Sequence, residues 1–261
     1  MTSPDFIAFA RELASSARRE TLPRFNEGVG VENKGDETSF DPVTEADRAA
    51  EQALRSLIAE RFPDHGISGE EFPAKPGAGR YTWSLDPIDG TRSFICGLPT
   101  WTTLIALLED GAPLIGLIDA PVLNESYFGG GTEAWLSRGT EQAPIRTSEC
   151  STLSEARLST TDPSLFDGAA SKAFDRLSRK CRVTTYGHDG YAYARLAAGS
   201  LDLVVESGLK PHDYNALLPV VGGAGGHIGN WVGGSDITSG AIIAAASRAL
   251  YDAAVELLAV E

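Results

Sequence analysis

The chain is sparing with cysteine, short of positive charge and without long apolar runs, and each shortage narrows what it can be. Three cysteines in 261 residues, an odd and thinly spread set, form no disulfide framework and suit a reducing compartment. Lysine and arginine number 22 against 36 acidic residues, a formal charge of −14. That balance excludes the clustered basic surface needed by nucleic acids and anionic membranes. It does not exclude an anionic substrate, because divalent cations can stand between carboxylates and phosphate. The longest apolar stretches, residues 102–108 and 241–246, fall well short of the roughly 20 residues of a membrane span. The first twenty residues carry Asp5, Arg11, Glu12, Arg18, Arg19 and Glu20, where a secretory leader has an unbroken apolar core. A cytoplasmic protein is the expectation. His65, His188 and His227 show no ligand spacing, which argues against a soft-metal site, whereas His212 beside Asp213 is expected to line a pocket. There is no Gly-x-Ser-x-Gly elbow and no phosphate loop ending in Gly-Lys-Ser/Thr.

What remains is ordinary globular composition, 42% hydrophobic and 22% charged. Ser3 and Pro4 open an expected helix with Phe6, Ile7, Ala10, Leu13, Ala14 and Ala17 at helical spacing. A loop is expected over 33–38 and a second helix over 44–62, stopped by Pro63. Residues 66–136 read as strands and turns, with antiparallel strands at 102–108, 113–119 and 125–128. The polar stretch 138–154 is the expected boundary between a domain of residues 1–145 and one of residues 146–261. Beyond it, helices near 163–177, 190–198, 214–222 and 247–260 alternate with strands near 182–185, 201–206 and 242–245. Gly222–Gly226 is expected to end a helix and permit close packing.

The acids stand out by position. Gly69-Glu70-Glu71 follows the short strand Ile67-Ser68, and Asp86-Pro87-Ile88-Asp89-Gly90-Thr91 follows the strand ending at Leu85. Pro87 sets one turn of backbone, so Asp86 and Asp89 can converge on one point. Gly90 and Thr91 then open a helix whose N–H groups suit a phosphate. Hard oxygen donors of this kind select Mg²⁺, Mn²⁺ or Ca²⁺. Each piece also has an ordinary structural use as a cap, a turn or a solvated acidic pair.

Together with Asp213 ahead of Gly222-Gly223-Ala224-Gly225-Gly226, and with the upstream Asp41-Pro42-Val43-Thr44-Glu45-Ala46-Asp47, these elements resemble the inositol monophosphatase family over nearly the whole chain. The resemblance implies a layered α-β-α-β-α sandwich and metal-dependent hydrolysis of phosphate monoesters. It makes Glu70, Asp86, Asp89, Asp213 and the Ile88 carbonyl the metal ligands, holding two or three Mg²⁺ with Mn²⁺ able to substitute. Catalysis falls to Glu70, Asp47 and Thr91, the last two orienting and activating the attacking water, and phosphate binding to the Gly90 and Thr91 N–H groups. Asp47, three residues after Thr44, also fits a capping arrangement. Lys210-Pro211-His212-Asp213-Tyr214-Asn215 resembles the histidinol-phosphatase branch, where the family more often has Trp before the last aspartate. On that branch Glu206 and His212 contact substrate, Glu206 pairing with its ammonium group; as a bare strand-end acid Glu206 would instead face solvent. The resemblance further implies a homodimer acting on a small phosphorylated metabolite in histidine biosynthesis. Inositol-1-phosphate or a broad range of sugar phosphates is the alternative within the same chemistry. A non-catalytic cation-binding regulator is the alternative outside it.

Overall fold

The computed structural model describes residues 4–26, 31–33 and 42–259, so Ser3 and the loop residues 34–41, with Phe40 and Asp41, lie outside the described residues. Helix α1 (Pro4–Thr21), strands β1 (Val31–Asn33) and β2 (Pro42–Thr44) and helix α2 (Glu45–Arg61) precede a seven-stranded sheet. That sheet takes β3 (Gly66–Gly69), β4 (Tyr81–Asp89), β5 (Thr102–Glu109), β6 (Ala112–Ala120), β7 (Glu125–Gly130), β8 (Glu133–Arg138) and β9 (Glu141–Pro144) in chain order, with helix α3 (Thr91–Ile95) between β4 and β5. Only β3 and β4 are parallel. The second half supplies β10 (Arg157–Thr160), α4 (Gly168–Ser178), β11 (Val183–Tyr186), α5 (Asp189–Ala197), β12 (Leu203–Glu206), α6 (Pro211–Tyr214), α7 (Leu217–Gly223), β13 (His227–Asn230), β14 (Ile242–Ala245) and α8 (Arg248–Leu258). Its five strands order as β11-β10-β12-β14-β13.

Alternation along the strands sorts side chains into separate cores. Ile105 and Leu107 of β5 pack with Trp83 against Leu13, Leu54 and Ile58 of α1 and α2. Leu104 and Ala106 of the same strand face the other way, onto Ala192 and Leu196 of α5 and Val220 and Val221 of α7. Those central helices meet Val204, Ile242 and Ala244 on their far side. Leu203, Val205, Ile243 and Ala245 then pack on Phe174, Leu177, Leu250 and Tyr251 of α4 and α8. The result is the expected α-β-α-β-α sandwich, and each of these buried Leu, Ile and Val side chains contributes about 1.5–3 kcal/mol of transfer free energy. The middle layer sits unusually close. A Cβ on Gly116 would stand 2.1 Å from the Ala216 carbonyl oxygen, and one on Gly223 2.3 Å from that of Glu133. Gly223 therefore serves the packing expected of the glycine-rich run.

Several boundaries differ from the sequence reading. Strand β9 falls inside the polar stretch expected to be a bare boundary; all four of its residues are exposed, as edge strands commonly are, so no apolar alternation marks it. Strand β13, another edge, hides in the glycine-rich His227–Asn230. The helix expected over 214–222 is two, α6 and α7, joined through Asn215 and Ala216. Asn215 Nδ2 donates to Ser84 Oγ at 3.1 Å, tying that junction to β4.

Candidate active site

Asp86 and Asp89 are not beyond a strand end but within β4, and they converge because β4 carries a bulge. Asp86 pairs with Leu104 and Asp89 with Thr102, three residues against two. In a regular strand residues three apart point to opposite faces; the extra residue restores phase and puts both carboxylates on the face toward the central helices. The Thr103 hydroxyl donates to the Pro87 carbonyl at 2.7 Å, and the Ile88 N–H donates to Asp86 Oδ1 at 3.1 Å, fastening the bulge. The Ile88 side chain is buried with Ala46, Phe94 and Trp101, leaving its carbonyl as the polar group. The Thr91 hydroxyl donates to that carbonyl at 3.1 Å.

Two further acids are placed by helix starts. Asp213 is the third residue of α6, where its Oδ2 accepts from the Lys210 N–H at 2.6 Å. Asp47 is the third residue of α2, and its Oδ2 accepts from the Thr44 N–H at 2.8 Å and the Thr44 hydroxyl at 2.6 Å. The capping arrangement legible in the sequence is therefore formed. Glu70 is held through its neighbours. Buried Glu51 of α2 accepts from the Glu71 N–H at 2.7 Å, and Gly69 approaches it so closely that a Cβ would stand 2.1 Å from Glu51 Oε1. Glu51 had no signal in the sequence beyond being one more acid on a helix.

One carboxylate oxygen from each of Asp86, Asp89 and Asp213 lies within 4.8 Å of the others. Beside this triad opens a cleft of about 430 Å³ lined by Glu70, Gly90, Thr91, Glu206 and His212, so the structure gathers these residues around one space. Asp86 lies beneath it, 2% exposed. Burial, then the charges of Glu70, Asp89 and Asp213, pushes the Asp86 carboxyl well above the usual range. Asp89 is raised likewise by burial and by Asp189 and Asp213, against the hydrogen bonds it accepts from the Gly190 N–H at 2.6 Å and the Thr102 hydroxyl at 2.9 Å. Burial raises Asp47 to about 6. Glu206 does not face solvent: it is buried, accepts from the Thr161 N–H at 2.7 Å and the Thr161 hydroxyl at 3.0 Å, and is raised by burial to about 8. His212 Nε2 stands 3.4 Å from Asp213 Oδ1. Asp189, Gly190 and Tyr193 of α5 also line the cleft. Sequence reading took this stretch for an ordinary helix, and only the Asp-Gly pair at its start was available as a signal.

Carboxyls raised in the folded state make the metal-free protein more stable in acid. Asp47 and Glu206 start from 3.8 and 4.5 and rise to about 6 and about 8, so the folded chain holds protons that the unfolded chain has released. Stability is then full below about pH 4 as far as these groups decide it, and is lost as pH climbs through 6 and 8. We expect the melting temperature in EDTA to fall by on the order of 5 °C or more between pH 5 and pH 8. Mg²⁺ should raise it more at pH 8 than at pH 5, because protons compete with the cation. Calorimetry giving equal melting temperatures at both pH values in EDTA would contradict this electrostatic picture.

The donor set is wholly oxygen, and its repulsion is of the kind that a divalent cation relieves, so these residues fit a hard metal such as Mg²⁺ or Mn²⁺ rather than zinc. The sequence profile of the inositol monophosphatase family matches residues 4–260. The chain is 45% identical over 230 residues to the bifunctional phosphatase IMPL2, chloroplastic, of Arabidopsis thaliana, a match covering 87% of this chain and 65% of the plant protein. It is 34% identical over 250 residues to a histidinol-phosphatase of Chlorobaculum parvum, covering 95% and 94%. Among solved structures, an inositol monophosphatase from Zymomonas mobilis superposes with a TM-score of 0.86 at 38% identity, over 99% of both chains. With three of its acids converging beside the cleft, this chain belongs to the inositol monophosphatase family and is a metal-dependent phosphatase.

Proposed function

We propose that the chain is a Mg²⁺-dependent histidinol-phosphatase, cleaving L-histidinol phosphate to L-histidinol and phosphate in cytoplasmic histidine biosynthesis, as a homodimer in which each protomer has two domains that divide near residue 145. The observation that carries the chemistry is the convergence of Asp86, Asp89 and Asp213 beside a cleft lined by buried Glu206. The similarity to proteins named histidinol-phosphatase supports the substrate.

Glu70, Asp86, Asp89, Asp213 and the Ile88 carbonyl would hold the metal. When bound, Mg²⁺ supplies Lewis-acid stabilisation of the phosphoryl oxygens and a nucleophilic water. Monoester hydrolysis requires accelerations up to about 10²¹-fold, far beyond the 10²–10⁴ of one proton transfer, which is why so many groups serve charge. Gly90 and Thr91 line the cleft, and their N–H groups would receive phosphate. Because the Thr91 hydroxyl sends its proton to the Ile88 carbonyl, its oxygen lone pairs are the part that can accept from an attacking water. Asp47, near 6, can take a proton at neutral pH; with Oδ2 committed to Thr44, the receiving atom is Oδ1. Glu206, which also lines the cleft, would face the leaving alcohol.

Phosphate release by the full chain, measured on histidinol phosphate, inositol-1-phosphate and a sugar phosphate at matched Mg²⁺, tests this reading. We expect kcat/KM on histidinol phosphate to exceed the others by about tenfold or more, and EDTA to stop release from all three. Comparable efficiencies would defeat the substrate assignment and favour a broader phosphatase, a reading that the similarity to proteins named fructose-1,6-bisphosphatase/inositol-1-monophosphatase supports.

A further inference from the structure

Helix α2 carries a buried ion pair whose use is visible in what it holds. Ala50, Leu54 and Ile58 of this helix face the core, and beside them Asp47, Glu51 and Arg55 follow at four-residue spacing on one face. The Glu51 side chain is fully buried and that of Arg55 is 13% exposed. Apolar residues of similar volume commonly stabilise such a position as well or better, so the pair's remaining bonds indicate its purpose. Those bonds go to the backbone that follows β3. Strand pairing ends at Gly69, opposite Leu85, and residues 70–72 belong to no strand. Glu51 Oε2 accepts from the Glu71 N–H at 2.7 Å, and Oε1 from the Phe72 N–H at 3.3 Å and from Arg55 Nε at 2.7 Å. Arg55 Nη2 in turn donates to the Phe72 carbonyl at 2.9 Å. Carboxylate and guanidinium together grip the bend where a strand partner is missing. Glu70 stands inside that grip, between Gly69 in contact with Glu51 and the bonded Glu71.

We propose that Glu51 and Arg55 are positioning residues of the metal centre, setting its Mg²⁺ affinity by fixing the backbone that carries Glu70. The other carboxylates stand on different supports, Asp86 and Asp89 on the bulge of β4 and Asp213 on α6. Glu70 comes from a bend beside the outermost strand of the seven-stranded sheet. Ligands need to be held within about 0.5 Å of their working geometry, which takes bonds behind them. The clasp supplies those bonds from α2, the helix that also carries Asp47. Its demands are specific. Glutamine at position 51 can serve Arg55 and Phe72 with its carbonyl as Oε1 does, but its NH₂ then meets the Glu71 N–H, donor against donor. The clasp rests on the reading of Glu70 as a metal ligand and adds the two residues that hold it.

The test is Mg²⁺ binding to the full chain, followed by titration calorimetry without substrate. Glu51→Gln should raise the Mg²⁺ dissociation constant by about tenfold or more, and the Mg²⁺ concentration for half-maximal phosphate release with it, while kcat recovers at saturating Mg²⁺. Arg55→Lys keeps both charges but loses the planar fork that reaches Glu51 and Phe72 together. It should shift both values the same way by less, and it decides the matter where Glu51→Gln does not fold. Ile58→Val trims the core side of the same helix and should lower the melting temperature without moving either Mg²⁺ value. A like shift in Ile58→Val would reduce the effect to stability and overturn the proposal. A positioning residue acts through its target, so Glu51→Gln added to Glu70→Gln should cost no further Mg²⁺ affinity. Fully additive losses would overturn the clasp, as would wild-type Mg²⁺ binding in the folded Glu51 and Arg55 variants beside weakened binding in Glu70→Gln. Unchanged Mg²⁺ binding in Glu70→Gln would strike Glu70 from the ligand set and the clasp with it.

Discussion

Asp89→Asn should give a folded protein whose kcat is at least about 10³-fold lower, because what it removes is a charge and not a contact. Asp89 uses one oxygen, Oδ2, for both bonds to its surroundings, from Gly190 and Thr102. Asparagine can put its carbonyl there and keep both. The other position then presents an NH₂ group to the metal in place of an oxygen, and several kcal/mol of charge stabilisation disappear at about 1.36 kcal/mol per tenfold in rate. The variant should also melt no lower than the wild type in EDTA, since a like charge leaves a repulsive cluster. Addition of Mg²⁺ should stabilise the wild type and leave the variant largely unmoved. Near-normal turnover at saturating Mg²⁺ would remove Asp89 from the ligand set.

Gly190→Ala should damage the same centre from behind. A Cβ at this position would stand 2.5 Å from Asp89 Oδ2 and 2.9 Å from Thr102 Oγ1, with the Leu104 side chain at 3.1 Å. None of these atoms is the end of a flexible side chain free to swing aside, because Asp89 and Thr102 are hydrogen-bonded to each other across β4 and β5. Either α5 backs away from the sheet or the carboxylate is pushed toward the cleft. A displacement of about 1 Å in a catalytic group costs on the order of 10²-fold in rate. Overpacking adds about 1–3 kcal/mol of instability, several degrees in melting temperature for a chain of this length. Activity and melting temperature should therefore fall together, unlike in Asp89→Asn. Wild-type kinetics in Gly190→Ala would show that the bond from α5 does not position Asp89.

The acidic motifs were legible because their chemistry is local in sequence: Asp-Pro-Ile-Asp-Gly-Thr, Gly-Glu-Glu and the Asp ahead of the glycine-rich run announce themselves by residue type and spacing. The sandwich was legible as well, since β5, β12 and β14 alternate apolar side chains between cores and α1, α2 and α8 carry apolar faces at helical spacing. What escaped was polar or shared. β9 has no buried residue to betray it. Glu51 looked like any helix acid until β3 brought Glu71 to it, and Asp189 and Tyr193 read as parts of a plain amphipathic helix. Glu206 was balanced between solvent and substrate, and burial beside Thr161 tipped it inward.

Which residues carry hard-metal chemistry was written in the chain itself, because carboxylates, a capping threonine and a proline-restrained turn act over a few residues. Where those carboxylates point was not, because direction depends on phase and on neighbours far along the chain. A single extra residue in β4 turns Asp86 and Asp89 to the same face, α6 brings Asp213 from more than a hundred residues away, and the close seat of α5 on the sheet sets Gly190, Asp189 and Tyr193 around them. Side-chain type is inherited from sequence; convergence needs packed layers, which only long-range burial can assemble.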